Sequence, residues 1–153
     1  MNKRVFGRKL SRSRPTREAL FASLAQSLII NGKIVTTRAK AKAVAGSVEK
    51  MVTLAKAGTI AARRKVMSSL DNARGATDIL FQKIAKAFPA KTSGFTRIIS
   101  LPRRVGDNAQ MVRMEWTEKV ELETKKKPET KAKKEESKKE VKKAVKKEVK
   151  SKK

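Results

Sequence analysis

The sequence predicts an α+β fold of two layers. Helices pack on one face of a small, mostly antiparallel sheet, in the order α-β-α-α-α-β-β, and a disordered C-terminal tail follows. Three observations carry this prediction. Apolar residues recur with a helical period between Pro15 and Phe88. From Phe95 onward the period changes to two. Near residue 117 the composition shifts to little besides Lys and Glu. The resulting division is a basic arm over 1–14, a folded domain over 15–117 and a tail over 118–153.

The first helix is expected to start near Ser13–Pro15, where Ser suits the cap and Pro the first turn. Leu20, Phe21, Leu24 and Leu28 form its apolar stripe, and Asn31-Gly32 ends it. Lys33–Thr36 is a short β-rich run. Thr37 then caps a second helix over roughly Arg38 to Ala57, with Ala41, Val44, Val48, Met51 or Val52, and Ala55 inward and Gly58 as its stop. A third helix, capped by Thr59, turns Ile60, Met67 and Leu70 inward. The fourth starts at Asn72 or Thr77, presents Leu80, Ile84 and Phe88 to the core, and stops at Pro89. Phe95–Leu101 and Met111–Trp116 alternate as strands, joined by Pro102–Asn108 with its turn cluster Gly106-Asp107-Asn108. Val112, Met114 and Trp116 should face the helices, and Arg113 and Glu115 the outside.

Lys and Arg total 40 against 14 acids, a net charge of +26 on 153 residues. So large a charge repels itself and calls for a polyanionic partner. It divides unequally. Residues 118–153 hold 16 Lys, no Arg and 8 acids, a net of +8, and lack the apolar surface needed to offset ordering entropy. Residues 1–117 hold the other +18, with Arg and Lys mixed and all six aromatics present.

Cys and His are both absent. That excludes disulfides, Cys/His zinc sites, iron–sulfur clusters, Ser-His-Asp and Cys-His nucleophiles and a histidine base. The six acids of the folded part are Glu18, Glu49, Asp71, Asp78, Asp107 and Glu115; they form no short-range pair. No Gly-rich phosphate loop occurs. The expectation is therefore no enzyme, no metal, no cofactor and no small-molecule substrate. The longest apolar stretch, Ala19 to Ile30, is interrupted by Ser23, Gln26 and Ser27 and is too short for a membrane span. Glu18, the polar interruptions and the absence of a clear small-residue cleavage site argue against secretion, whereas the Arg/Ser-rich start, with its first acid at Glu18, resembles a transit peptide, the lesser of the two readings of this segment.

Candidate polyanion contacts fall in three places. The arm brings Lys3, Arg4, Arg8, Lys9, Arg12, Arg14 and Arg17 before the first acid at Glu18. Thr36 and Thr37 offer hydroxyls at a strand-to-helix junction, where Arg38, Lys40 and Lys42 add charge. Arg103 and Arg104 occupy a hairpin loop, where paired guanidiniums can clamp a phosphate backbone. Arg63-Arg64-Lys65 splays around a helix axis and reads as a solvated face. Phe21, Phe81, Phe88, Phe95 and Trp116 read as core, not as base-stacking platforms.

Five segments in register resemble a known family. They are Gly7-Arg8-Lys9-Leu10; Thr36-Thr37 continued by Ala39-Lys40-Ala41-Lys42; Thr53-Leu54-Ala55-Lys56; Gly94-Phe95-Thr96-Arg97-Ile98; and Arg104-Val105-Gly106-Asp107-Asn108-Ala109. Over residues 1–117 the chain is similar to the bacterial-type family of the seventeenth large-subunit ribosomal protein. The resemblance implies a non-enzymatic structural role in the cytoplasmic ribosome, near the rim of the nascent-peptide exit tunnel. Its implied partners are large-subunit ribosomal RNA (23S) and neighbouring large-subunit proteins, with no membrane. Arg97 joins the candidate RNA contacts through the fourth segment. Three departures stand out: Gln110 where the family often has Pro, Phe95 where it usually has Tyr, and no histidine near the N-terminus. A competing reading is a nucleoid DNA-compacting protein with a linker-histone-like tail, but no helix-turn-helix or other DNA-reading module is evident. A membrane-surface protein held by its basic tail is a further rival. A chain ending at Thr117 is expected to fold and still enter ribosomes; loss of assembly on that truncation, read by gradient co-sedimentation, would show that the tail is needed.

Overall fold

The computed structural model describes residues 7–120. Lys3, Arg4 and all but the first three residues of the expected tail lie outside the described residues. The order is α1 (Arg14–Asn31), β1 (Lys33–Thr37), α2 (Arg38–Ala57), α3 (Ile60–Ser69), α4 (Arg74–Ile79), a π-helical turn (Leu80–Ile84), α5 (Ala85–Ala87), β2 (Thr96–Ser100) and β3 (Met111–Trp116). The sheet order is β1-β3-β2, and both pairings are antiparallel. Helices cover one face of this sheet, the two-layer α+β arrangement that the change of period predicts.

The strand alternation settles which face is covered. Val112, Met114 and Trp116 of β3 are buried, while Arg113 and Glu115 point outward. Glu115 accepts from Arg97 Nε at 2.8 Å and lies 3.0 Å from Arg113 Nε. The register explains this meeting, since Glu115 stands opposite Arg97 on one side and Lys33 on the other.

The stripe read for α2 is buried throughout: Ala41, Val44, Val48, both Met51 and Val52, and Ala55. The stripes of α1 and α3 need correction. In α1 the fully covered residues are Ala22, Ala25, Leu28 and Ile29, whereas Leu20, Phe21 and Leu24 are only half-buried. In α3 the inward residues are Ala62, Val66 and the capping Leu70; Ile60 is 75% exposed and Met67 half-buried. Ile60 is the first helical residue, so no preceding turn shields it.

Helix ends follow local chemistry. Gly32 adopts φ 74°, and its N–H donates to the Leu28 carbonyl at 2.8 Å. The Thr59 hydroxyl accepts from Ala62 N at 3.1 Å, an N-cap. Ser13 and Thr37 occupy cap positions, but neither side chain makes a cap bond. Ser13 Oγ instead meets Thr16 Oγ1 at 2.8 Å.

The single fourth helix expected up to Phe88 contains a π turn. Leu80, Ile84 and Phe88 are spaced strictly by four, which in a 3.6-residue turn drifts about 40° per step. The wider turn takes back that drift, and all three side chains are fully buried. Phe88 packs edge-on against Phe95, with centroids 5.3 Å apart, and lies 6.2 Å from the Trp116 ring. Phe95 is 1% exposed. A phenylalanine there buries no hydroxyl in need of a partner. Lys56 holds the following loop by donating to the carbonyls of Pro89 (3.3 Å) and Lys91 (2.5 Å). Its ammonium also sits 5.8 Å from the Phe95 ring centroid. Thr117 closes the hairpin end by donating Oγ1 to Gly94 O and N to Phe95 O. Val120 packs on the core, and Glu118 pairs with Lys91 at 2.9 Å.

The aromatic cluster of Phe88, Phe95 and Trp116 joins the helix layer to β2 and β3. Phe88→Ala is expected to cost about 3–5 kcal/mol of stability by leaving a cavity there. Urea denaturation of the full chain measures this as a lower midpoint with little change of slope.

Candidate nucleic-acid interface

β1 passes into α2 without a connecting residue. The register that pairs Thr37 with Met111 sets Gln110, just before β3, against the start of α2. Arg38 N donates to the Gln110 carbonyl at 3.0 Å, and Arg38 Nη1 reaches Gln110 Oε1 at 3.3 Å. Residues 72 positions apart thereby shape one end of the sheet.

A concavity of about 360 Å³ opens here, lined by Arg8, Thr37, Arg38, Ala39, Lys42 and Gln110. Among the described residues no carboxylate pairs with Arg8, Arg38 or Lys42. The arm segment that carries Arg8 turns tightly. Arg12 N donates to Lys9 O at 3.1 Å, Arg12 Nη1 to Leu10 O at 2.9 Å, and Arg17 Nη1 to Arg12 O at 3.2 Å. Leu10 and Ser11 take left-handed φ values of 52° and 53° in this turn.

The structure sorts the candidate residues. Arg8, Thr37, Arg38 and Lys42 meet in the concavity. Thr36 does not: it is 8% exposed on the helix-facing side of β1, so its hydroxyl is not offered to a ligand. Period-two alternation separates the two threonines. Lys40 lies on α2 outside the lining, and Lys9, Arg12 and Arg17 belong to the arm turn and the first turn of α1. Arg14 is paired with Glu18 at 2.9 Å on the same helix. Arg97 is held by Glu115 on the open face of the sheet. Arg63 is paired with Asp78 and stacks over Phe81, which removes it from a purely solvated face.

Arg103 and Arg104 differ in kind. Arg104 donates Nε to Asp107 Oδ1 at 3.1 Å and Nη2 to Oδ2 at 2.5 Å. Arg103 is exposed, and among the described residues it has no ion-pair partner. Gln110 and Asp107 are the structural participants that residue-by-residue reading misses. Gln110 carries no charge signal, and Asp107 reads only as a turn former.

The Arg104 hydrogen bond, followed by the Ala109 N–H, holds the Asp107 carboxyl down at about 2. A lowered pKa means that the bridge is complete above the ordinary carboxylate range, near 3.9, and is lost as pH falls through about 2. Carboxyl carbon shifts recorded by NMR are expected to give a midpoint of about 2 for Asp107. Arg104→Gln should move that midpoint up toward the ordinary range.

Among the described residues no acid cluster could hold a metal, and no helix is long and apolar enough to cross a membrane. The chain matches the family model described as ribosomal protein L17 over residues 20–117. It is 46% identical over 124 residues to the large ribosomal subunit protein bL17 of Persephonella marina, covering 80% of this chain and all of the relative. It is 44% identical to the bL17 of a Sulfurihydrogenibium species, with coverage of 77% and 98%. Its identity to the bL17 of Methylacidiphilum infernorum is 41%, with coverage of 77% and 90%. The family match runs from within α1 through β3, nearly all of the two-layer domain, and by these likenesses the chain belongs to the ribosomal protein L17 family.

Proposed function

We propose that this protein is a non-enzymatic structural constituent of the large ribosomal subunit and binds its ribosomal RNA by phosphate neutralisation and shape fit. The observation that carries the reading is the concavity at the start of α2, where Arg8, Arg38 and Lys42 converge without carboxylate partners. Guanidiniums grip phosphate oxygens as forks, and ammonium groups act as point charges. Thr37 contributes a hydroxyl, and its missing cap bond leaves first-turn amides for an anion.

The arm of residues 1–14, with Lys3, Arg4, Lys9 and Arg12, adds further cations for phosphate oxygens. Such contacts supply affinity more than sequence choice; the fit to RNA shape selects the site. In this reading the protein works in the cytoplasmic ribosome, beside neighbouring large-subunit proteins and, as family membership implies, near the rim of the exit tunnel. The RNA is then 23S. The family relationship and the lack of a DNA-reading element among the described residues both favour RNA over nucleoid DNA.

In a magnesium-containing sucrose gradient the protein is expected to sediment with the large subunit; sedimentation with the nucleoid would overturn the reading. Substituting Arg8, Lys9 and Arg12 together by Gln should flatten the dependence of log binding constant on log salt. Each phosphate no longer neutralised takes away roughly 0.7–0.9 of slope. An unchanged slope would remove the arm from the interface.

A further inference from the structure

The loop between β2 and β3 is braced more heavily than its exposure explains. Leu101 N donates to Met111 O and Arg104 N to Ala109 O, both at 3.0 Å. Inside that frame Asp107 accepts both arms of the Arg104 fork and, on Oδ1, the Ala109 N–H at 3.2 Å. Gly106 and Asn108 take φ values of 107° and 53°, which turn the chain sharply on either side of Asp107. None of this serves the core. Val105 is 98% exposed, and Arg103, Arg104 and Asp107 are all exposed. A pair so exposed contributes little to stability. What it does supply is a tip already ordered before any partner arrives, which lowers the entropy lost on binding.

From this we infer that Asp107 is a positioning residue of the RNA interface: it ties back Arg104 so that Arg103 and Val105 project together into the shallow minor groove of an RNA helix. This rests on the RNA-binding reading above. Of the two loop arginines, Arg104 is committed to the brace, and Arg103 keeps its fork for phosphate or 2′-hydroxyl oxygens. Val105 presents a compact apolar surface of a kind that fits against ribose in a wide, shallow groove. The loop lacks an aromatic side chain, so base stacking is not its mode. The uncompensated charge at the tip is the Arg103 cation, which favours RNA over a basic or neutral protein partner.

The test turns on a sign. Asp107→Asn removes a negative charge from a protein that binds a polyanion, so charge alone would tighten binding. The inference demands the opposite. With the full chain and a bacterial large-subunit rRNA transcript, Asp107→Asn is expected to weaken binding about two- to tenfold, the cost of ordering one or two side chains. The salt slope and the melting temperature should stay unchanged. Arg103→Gln should lower the slope by roughly 0.7–0.9, one phosphate's worth. Arg104→Gln combined with Asp107→Asn should be no weaker than Asp107→Asn alone, because the two act as one unit. Val105→Ser should weaken binding with no change of slope. Tighter or unaltered binding by Asp107→Asn, or an unaltered slope for Arg103→Gln, overturns the inference while wild-type RNA binding stands. If Arg103→Gln and Val105→Ser spare RNA binding but release a neighbouring ribosomal protein, the tip is a protein contact and the inference falls. If the wild-type chain shows no salt-dependent affinity for the transcript, the RNA-binding reading itself fails.

Discussion

The antiparallel pairing of β1 with β3 joins residues 33–37 to residues 111–115, across most of the folded domain. Closing so long a loop costs chain entropy that only the finished sheet and its helix cover can offset. Once β3 lies in the middle, its inner residues Val112, Met114 and Trp116 form the floor on which the helices rest. The same register sets Gln110 beside Arg38, and so fixes how α2 begins and where its first cations stand. A slip of one residue would turn Arg113 and Glu115 into the core and dismantle both the packing and the basic concavity.

Charge and apolar surface are sharply segregated around this pairing. Among the described residues the buried polar side chains are Thr36 and Thr77 only, and no charged side chain is buried. Thr77 satisfies itself by donating to the Ala73 carbonyl at 2.9 Å. The core is built from small and medium aliphatic residues closed by the Phe88, Phe95 and Trp116 cluster. A compact apolar centre of this kind lets a strongly basic chain fold with no charged residue buried among the described ones.

Much of the fold is legible in the sequence because two periods carry it. In α2 the stripe from Ala41 to Ala55 is readable since large and small apolar residues alternate with Lys around one axis. The strand alternation names the three buried residues of β3 for the same reason. Side-chain size is a poorer guide to depth. Ile60 looks like core but sits at a helix start, and Ala22, Ala25 and Ala62 look neutral but are buried. The π turn leaves no such signal: Leu80, Ile84 and Phe88 are spaced by four, but so are Val44, Val48 and Val52, which are buried in the regular helix α2. At the interface the cations are visible by charge, whereas their arrangement is not. Gln110 and Asp107 act through a register and a loop brace that exist only after the strands have paired.

That arrangement divides the cations into two kinds. Arg14, Arg97 and Arg104 each have a carboxylate partner, so a phosphate approaching them must compete with a bond already made. Arg8, Arg38, Lys42 and Arg103 have no carboxylate partner among the described residues, and neutralising a phosphate there gives up little. Acids are scarce in this chain, and Glu115 and Asp107 brace the open sheet face and the hairpin tip. Among the cations their placement leaves without a carboxylate partner are those at the start of α2 and Arg103 beside Val105. A net charge of +26 demands only some polyanion; the positions of the few acids decide which cations are left to meet it.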